Sequence, residues 1–270
     1  AEEAEKLNSQ REHIRFLSGY PFPPDLAVTS SLHDAFQKTT ITILAVPSQS
    51  LRQNARLIRD SLPKGSIVIS GVKGLEIGTG KRMSQVLEEE FPSDLHASLC
   101  ALSGPNLAHE LARGLPASSV VASRSASAAL EAQRLLFSPR LRIYTSDDIV
   151  GVELGGALKN IIALGAGMSD GLGYGENAKA GLIARGLTEI TRLGSSAGAS
   201  PLTFGGLSGL GDLVATCYSS LSRNRYVGQE LGRGRSLQQI LASMTNIAEG
   251  VETTKAALTM GNILGIDLPI

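Results

Sequence analysis

A lysine whose neighbours could dry it out is the first residue of this chain with chemistry to offer. Lys159 lies in Gly151-Val152-Glu153-Leu154-Gly155-Gly156-Ala157-Leu158-Lys159-Asn160. Leu154, Leu158, Ile161 and Met168 share one helical face, and Lys159 lies on another, flanked at helical spacing by Gly155, Gly156, Ile162 and Ala163. Helical side chains lean toward the N-terminus, which sets Lys159 over the two glycines and predicts empty space beneath it. An ammonium among small and apolar neighbours is partly desolvated, and its pKa falls toward the range useful for proton transfer. A solvated lysine on an ordinary helix satisfies the same spacing and is the simpler reading of this segment alone. Against it stand two adjacent glycines inside a helix, costing about 1 kcal/mol each relative to alanine, which implies that something needs the space.

Other residues offer partners. Gly209-Leu210-Gly211-Asp212-Leu213-Val214-Ala215-Thr216-Cys217 puts Asp212 and Thr216 four apart, on one helical face. Asp212 after a glycine turn also suits a helix N-cap with no further function. Ser222-Arg223-Asn224-Arg225 joins fork donors to neutral polar groups, a fit for a phosphate or equally for a solvated loop. In Ser70-Gly71-Val72-Lys73-Gly74-Leu75-Glu76, Lys73 stands between glycines at the end of a strand, where open α/β sheets bind ligands. Ser103-Gly104-Pro105-Asn106-Leu107-Ala108 follows another strand and opens a helix, offering backbone N–H groups to an anion or carboxamide. Turn chemistry accounts for either one alone; two at one end of a sheet are harder to dismiss. Gly165-Ala166-Gly167 lies within a helical pattern and Gly78-Thr79-Gly80 lacks a third glycine, so neither is a dinucleotide fingerprint. His13, His33, His96 and His109 are scattered. Cys100 and Cys217 have no Cys or His at metal-ligand spacing, so neither a metal site nor a disulfide framework is expected.

The elements that must position these residues fall into two kinds. Apolar runs at 41–46, 67–69, 98–102, 118–122 and 141–144 read as strands. Helical spacing between them (Leu51, Ala55, Ile58, Leu62; Met83, Val86, Leu87, Phe91; Ala126 to Phe137) makes βαβ units and a mainly parallel sheet. From Val150 onward no strand is predicted, only helices at about 151–168, 177–197, 212–220 and 248–264. The boundary falls near residue 148, giving a sheet domain over 1–147 and an all-helical domain over 148–270. The 270 residues suffice for both, and 42% hydrophobic residues exclude a disordered chain. Twenty-five basic against 25 acidic residues give no general attraction to nucleic acid or acidic membranes. The longest uncharged window, Leu193 to Gly211, is too rich in Gly, Ser and Pro to span a membrane. With two cysteines and a charged N-terminus, the expected location is the cytoplasm, or a plastid stroma had a transit peptide been removed.

Together the motifs resemble the NAD(P)-dependent glycerol-3-phosphate dehydrogenases of the bacterial and plastid type. The matching stretches, in family order along the whole chain, are Leu44-Ala45-Val46-Pro47-Ser48, Val72-Lys73-Gly74-Leu75-Glu76, Ser103-Gly104-Pro105-Asn106, Ala157-Leu158-Lys159-Asn160, Gly211-Asp212-Leu213 with Thr216-Cys217, Ser222-Arg223-Asn224, and Ala248-Glu249-Gly250. The resemblance implies a Rossmann-like N-terminal domain followed by a helical one, and interconversion of dihydroxyacetone phosphate and sn-glycerol 3-phosphate with NAD or NADP, for glycerophospholipid synthesis. By that resemblance Lys159 is the proton acceptor and Lys73 the lysine beside the reacting carbon. Asp212 and Thr216 are active-site polar residues, Gly104 and Asn106 substrate contacts, and Ser222, Arg223 and Asn224 the phosphate-binding run. Pro47, Lys73, Ala108, Arg223, Ile247 and Glu249 match positions that touch the cofactor. A small-molecule substrate is implied, and a homodimer is compatible. The family's opening strand, Gly-rich turn and helix have no counterpart here, and more helix is expected after Leu268-Pro269-Ile270, so the sequence reads as shortened at both ends. Arg11-Glu12-His13 and Leu26-Ala27-Val28-Thr29 resemble the lead-in to the family's third strand. Two rivals stay open: another β-hydroxyacid-type dehydrogenase with the same two-domain plan, and a non-catalytic module without cofactor binding.

Overall fold

The computed structural model describes residues 2–244 and 247–270. Helix α1 (Glu2–Gln10) leads into a small antiparallel ribbon, β1 (Glu12–His13) and β2 (Ser18–Pro21), wrapped around the single turn α2 (Ile14–Leu17). Another short helix, α3 (Leu32–Phe36), opens on Ser31, whose hydroxyl accepts from the Asp34 N–H. Five strands come next, in the same order in space as in the chain: β3 (Ile41–Leu44), β4 (Ile67–Ser70), β5 (Leu99–Ser103), β6 (Ala117–Ala122) and β7 (Leu141–Ser146). Helices α4 (Leu51–Ile58), α5 (Met83–Glu90), α6 (Ala108–Ala112) and α7 (Ala126–Leu136) connect them.

Every residue of β4 is buried, as its unbroken Ile-Val-Ile run requires of a strand covered on both faces. One face packs Val68 with Leu51, Met83, Leu87, Phe91 and Leu99. The opposite face packs Ile67 and Ile69 with Cys100, Val121, Ala132 and Ile143. The sheet is mainly parallel, with one exception. β5 pairs with β6 antiparallel, Ser103 opposite Val120, because the five-residue α6 is too short to carry the chain back across the sheet.

Beyond β7 the described residues hold no strand. They form α8 (Ile149–Gly171), α9 (Gly175–Ser196), α10 (Pro201–Phe204), a π-helical turn (Leu207–Gly211), α11 (Asp212–Tyr218), α12 (Arg223–Gly232), α13 (Leu237–Ser243) and α14 (Glu249–Leu264). The expected helices correspond to α8, α9, α11 and α14, whereas α10, α12, α13 and the π turn are additions that helical spacing does not reveal. Asp148 caps α8, accepting from the Gly151 N–H at 2.8 Å, and its other oxygen takes the Thr203 hydroxyl at 2.6 Å. By length and composition α8 could cross a membrane, yet 83% of its most apolar window is buried inside the protein, which makes it the core of the helical unit.

Helix α8 makes close contacts in two directions. Against the sheet unit, Glu153 accepts from the Ser84 N–H at 2.6 Å and pairs with Arg82, both charges buried, so α8 caps the start of α5. Against α12, backbones touch: a Cβ on Gly167 would lie 2.0 Å from the Arg225 carbonyl oxygen, and one on Gly228 1.9 Å from that of Leu164. Glycine at both places lets the two helices, running the same way, close on each other.

Candidate active site

Three segments distant in sequence meet at one carboxylate. Asp212 is 1% exposed, placed at the start of α11 by the π turn. Its Oδ1 accepts from Lys159 Nζ on α8, and its Oδ2 accepts from Lys73 Nζ at 2.7 Å, from the loop after β4. Lys159 Nζ also donates to Thr216 Oγ1 at 2.8 Å, and that hydroxyl passes its own hydrogen to the Asp212 carbonyl at 2.6 Å. Lys73 Nζ donates as well to the carbonyl of Gly104 at 2.8 Å. Both lysines, Asp212 and Thr216 are thus brought together. The N-cap reading of Asp212 fails, because the π turn runs straight into α11 and the side chain makes no capping bond.

Two ammonium groups share one carboxylate, so their charges work against each other. Lys159, nearly fully buried, has its pKa lowered from 10.5 to about 7, first by lost hydration and next by the neighbouring Lys73 cation, against the pull of Asp212. That is the range in which an amine both gives and takes a proton near neutrality.

The predicted empty space beneath Lys159 is not there. A Cβ on Gly155 would lie 2.5 Å from the carbonyl oxygen of Ser208, in the π turn, and one on Gly156 2.5 Å from Ser103 Oγ. The glycines admit protein, not a void. They let the π turn press onto α8, which brings Asp212 within reach of Lys159. Ser103 Oγ is buried there without a hydrogen-bond partner.

The remaining expected contacts divide. Gly104 has φ +133, a conformation suited to glycine, and its carbonyl holds Lys73. Asn106 accepts from the Ser119 hydroxyl at 2.7 Å, and Ala108 is exposed at the head of α6. With five residues α6 has too little helix for the anion site expected at its N-terminus. Ser222 caps α12, taking the Arg225 N–H at 3.2 Å, so the run expected to bind phosphate is the first turn of a helix, not a loop. Arg223 is exposed, and among the described residues it makes no ion pair. Asn224 is buried and committed to neighbours: its amide donates to Asn160 Oδ1 at 2.9 Å and accepts from the Gly250 N–H at 2.9 Å. Asn160 in turn donates to the Lys73 carbonyl at 3.4 Å. Residue type and spacing assign no role to Asn160, although its place beside Lys159 is a signal that could have found it. Glu249, at the start of α14, accepts from the Ser48 N–H at 3.0 Å and from its hydroxyl, tying the loop after β3 to the helical unit. Pro47 and Ile247 are exposed nearby in the chain.

The residues expected to touch a nicotinamide cofactor are chemically compatible with one, whose rings take apolar cover and whose pyrophosphate takes a cation. Pro47, Ala108 and Ile247 present exposed apolar surface and Arg223 an exposed cation, while Ser103 Oγ is an unmet buried hydroxyl at the strand end.

Two family models match the chain. The family model described as NAD-dependent glycerol-3-phosphate dehydrogenase N-terminus matches residues 1–129, and its C-terminal counterpart matches 148–270. A glycerol-3-phosphate dehydrogenase [NAD(P)+] of Dehalococcoides mccartyi is 52% identical over 270 residues, covering all of this chain and 75% of that protein. One of the same description from Chlorobium limicola is 46% identical over 267 residues, 99% of this chain and 80% of that protein. The crystal structure of a glycerol-3-phosphate dehydrogenase from Coxiella burnetii superposes with a TM-score of 0.93 at 33% identity, covering 99% of this chain and 81% of that one. With both halves matched and the fold shared, the chain belongs to the NAD-dependent glycerol-3-phosphate dehydrogenase family.

Proposed function

We propose that the protein interconverts dihydroxyacetone phosphate and sn-glycerol 3-phosphate, and that Lys159 is its proton-transfer group. The observation that carries this is the single buried carboxylate holding two lysines, one with its pKa lowered to about 7. When bound, the nicotinamide supplies or accepts the hydride; Pro47, Lys73, Ala108, Arg223, Ile247 and Glu249 are the residues that would hold it.

As the ketone is reduced, negative charge develops on its oxygen. The Lys159 ammonium delivers a proton to that oxygen, and Lys73 stabilises the charge before the proton arrives. Asp212 fixes both cations in place, and Thr216 orients the Lys159 ammonium by accepting one of its hydrogens. In the reverse direction the neutral amine of Lys159 takes the proton from the alcohol. Gly104 contributes its carbonyl, which aims Lys73. Arg223 is the cation for the substrate's phosphate. Ser222 and Asn224 flank it, with one hydroxyl hydrogen and one amide hydrogen beyond their structural bonds, and Asn106 completes the substrate contacts. On this reading residues 1–147 form the cofactor domain and 148–270 the substrate domain, with the reaction at their junction. A reducing compartment such as the cytoplasm suits Cys100 and Cys217, both free and buried, whose thiols burial pushes up to about 11 and about 12.

Arg223→Ala tests the substrate assignment. With the cofactor saturating, so that any contact Arg223 makes to it does not limit the rate, the KM for dihydroxyacetone phosphate should rise by about 10–100-fold while reduction of unphosphorylated dihydroxyacetone changes little, because a charge-assisted contact of roughly 1.5–3 kcal/mol is lost from the phosphorylated ketone alone. Equal losses on both ketones would remove phosphate recognition from Arg223.

A further inference from the structure

A second carboxylate in the helical unit also gathers two cations, and no step of the proposed reaction uses it. Asp170, near the end of α8, receives Lys179 of α9 on Oδ1 at 2.6 Å. Its Oδ2 takes both Nε and Nη2 of Arg225 on α12, each at 2.7 Å. Lys179 is 3% exposed, and its ammonium lies 4.9 Å from the centre of the Tyr218 ring, at the end of α11. Four helices therefore converge on one ion group. Burying a lysine costs hydration that apolar packing would not, so such a group adds little stability for its cost. The glycine contacts already hold α8 against α12. What the ions add is a fixed geometry.

The geometry they fix is that of the first turn of α12. Arg225 is held at three points: its N–H on Ser222 Oγ, its carbonyl against Gly167, and its guanidinium on Asp170. The residue before it, Asn224, is held by Asn160 and Gly250. Arg223, next in line, is exposed and makes none of these bonds. We infer that Asp170 and Arg225 are positioning residues that lock the first turn of α12 so that Arg223 meets the substrate's phosphate in one orientation. The inference rests on the proposed phosphate role of Arg223 and names what aims it.

Arg225→Lys tests it, since the charge stays and the fork geometry goes. In the holoenzyme, the Kd of glycerol 3-phosphate by calorimetry and the KM of dihydroxyacetone phosphate should both rise by about tenfold, as small misplacements of a binding group do. The kcat should change by less than about threefold. In an Arg223→Ala background the same substitution should add less than about twofold, because the group through which it acts is gone. An unchanged Kd in Arg225→Lys, or an effect of equal size with and without Arg223, overturns the inference and leaves the ion group to the fold. If Arg225→Lys does not fold, Asp170→Asn is put through the same cycle, with the same two results deciding. A parent enzyme that does not prefer the phosphorylated ketone would instead overturn the substrate reading, a separate outcome read before any variant is made.

Discussion

Asp212 and Asp170 are alike in plan and opposite in consequence. Each is a carboxylate of the helical unit with a cation on either oxygen. At Asp212 both partners are lysines, one of them nearly dry, and the repulsion between them helps bring Lys159 to about 7. At Asp170 one partner is a guanidinium, which does not serve as a proton donor. There burial would raise the carboxyl's pKa, but the bonds from Lys179 and Arg225 outweigh it and hold the group below its usual range. Two cations on one acid make the proposed proton-transfer site at Asp212, where the second is a lysine whose charge helps bring Lys159 to about 7. Elsewhere the same arrangement is a brace.

The contrast is broken most forcefully at Lys159. Lys159→Met keeps much of the stem's volume and removes the transferable proton, so turnover should fall by about 10²–10⁴-fold with the fold intact. Its effect on stability has a definite sign. The folded pKa, about 7, lies below the unfolded 10.5, so the unfolded chain binds more protons between those values and stability rises with pH across that window. Below about 7 both states are protonated, and above 10.5 neither is. Denaturant titrations of the cofactor-free protein should show this rise in the parent and a flatter curve in Lys159→Met. An unchanged rise would assign it to other groups.

Lys73→Met sharpens the contrast with a smaller effect. With the like charge gone, the Lys159 pKa should climb, and the activity that remains should hold to a more alkaline pH in the reductive direction before failing. A limb that stays in place would mean that lost hydration alone sets the value. The smallest change is expected at the brace. Lys179→Met leaves Asp170 paired with Arg225, so a loss of about 1–3 kcal/mol lowers the Tm by roughly 2–8 °C and leaves the pH limb where it was. A moved limb would show that the two ion groups are coupled.

How much of this is legible in the residues depends on distance along the chain. The alternation of apolar runs and helical spacing over 41–146 is local, and it marks the sheet unit within a few residues. Asp212 and Thr216 sharing a face is local too. That Asp212 also takes Lys159, 53 residues away, and Lys73, 139 away, is written in no local pattern. The glycine pair shows where proximity misleads: spacing reveals that Gly155 and Gly156 leave room, but not that Ser208 and Ser103 fill it. α12 escapes notice for a related reason. Gly228 in its middle weakens the helical pattern, and the compensation, backbone packing on Leu164, lies in another element. Asn224 and Ser222 show a third limit, since a residue type suited to phosphate is equally suited to capping or bridging, and here both are bonded to neighbours.

The amide line from Gly250 through Asn224 and Asn160 to Lys73 has a direction. Its ends leave no choice, because a peptide N–H only donates and a peptide carbonyl only accepts. Each side-chain amide between them is therefore set one way round. Turning either about, or replacing it with a carboxylate, would place oxygen against oxygen. The three bonds act as a keyed connector, through which the start of α14, the first turn of α12, the middle of α8 and the loop after β4 mate in a single sense, one residue from the lysine proposed to transfer the proton.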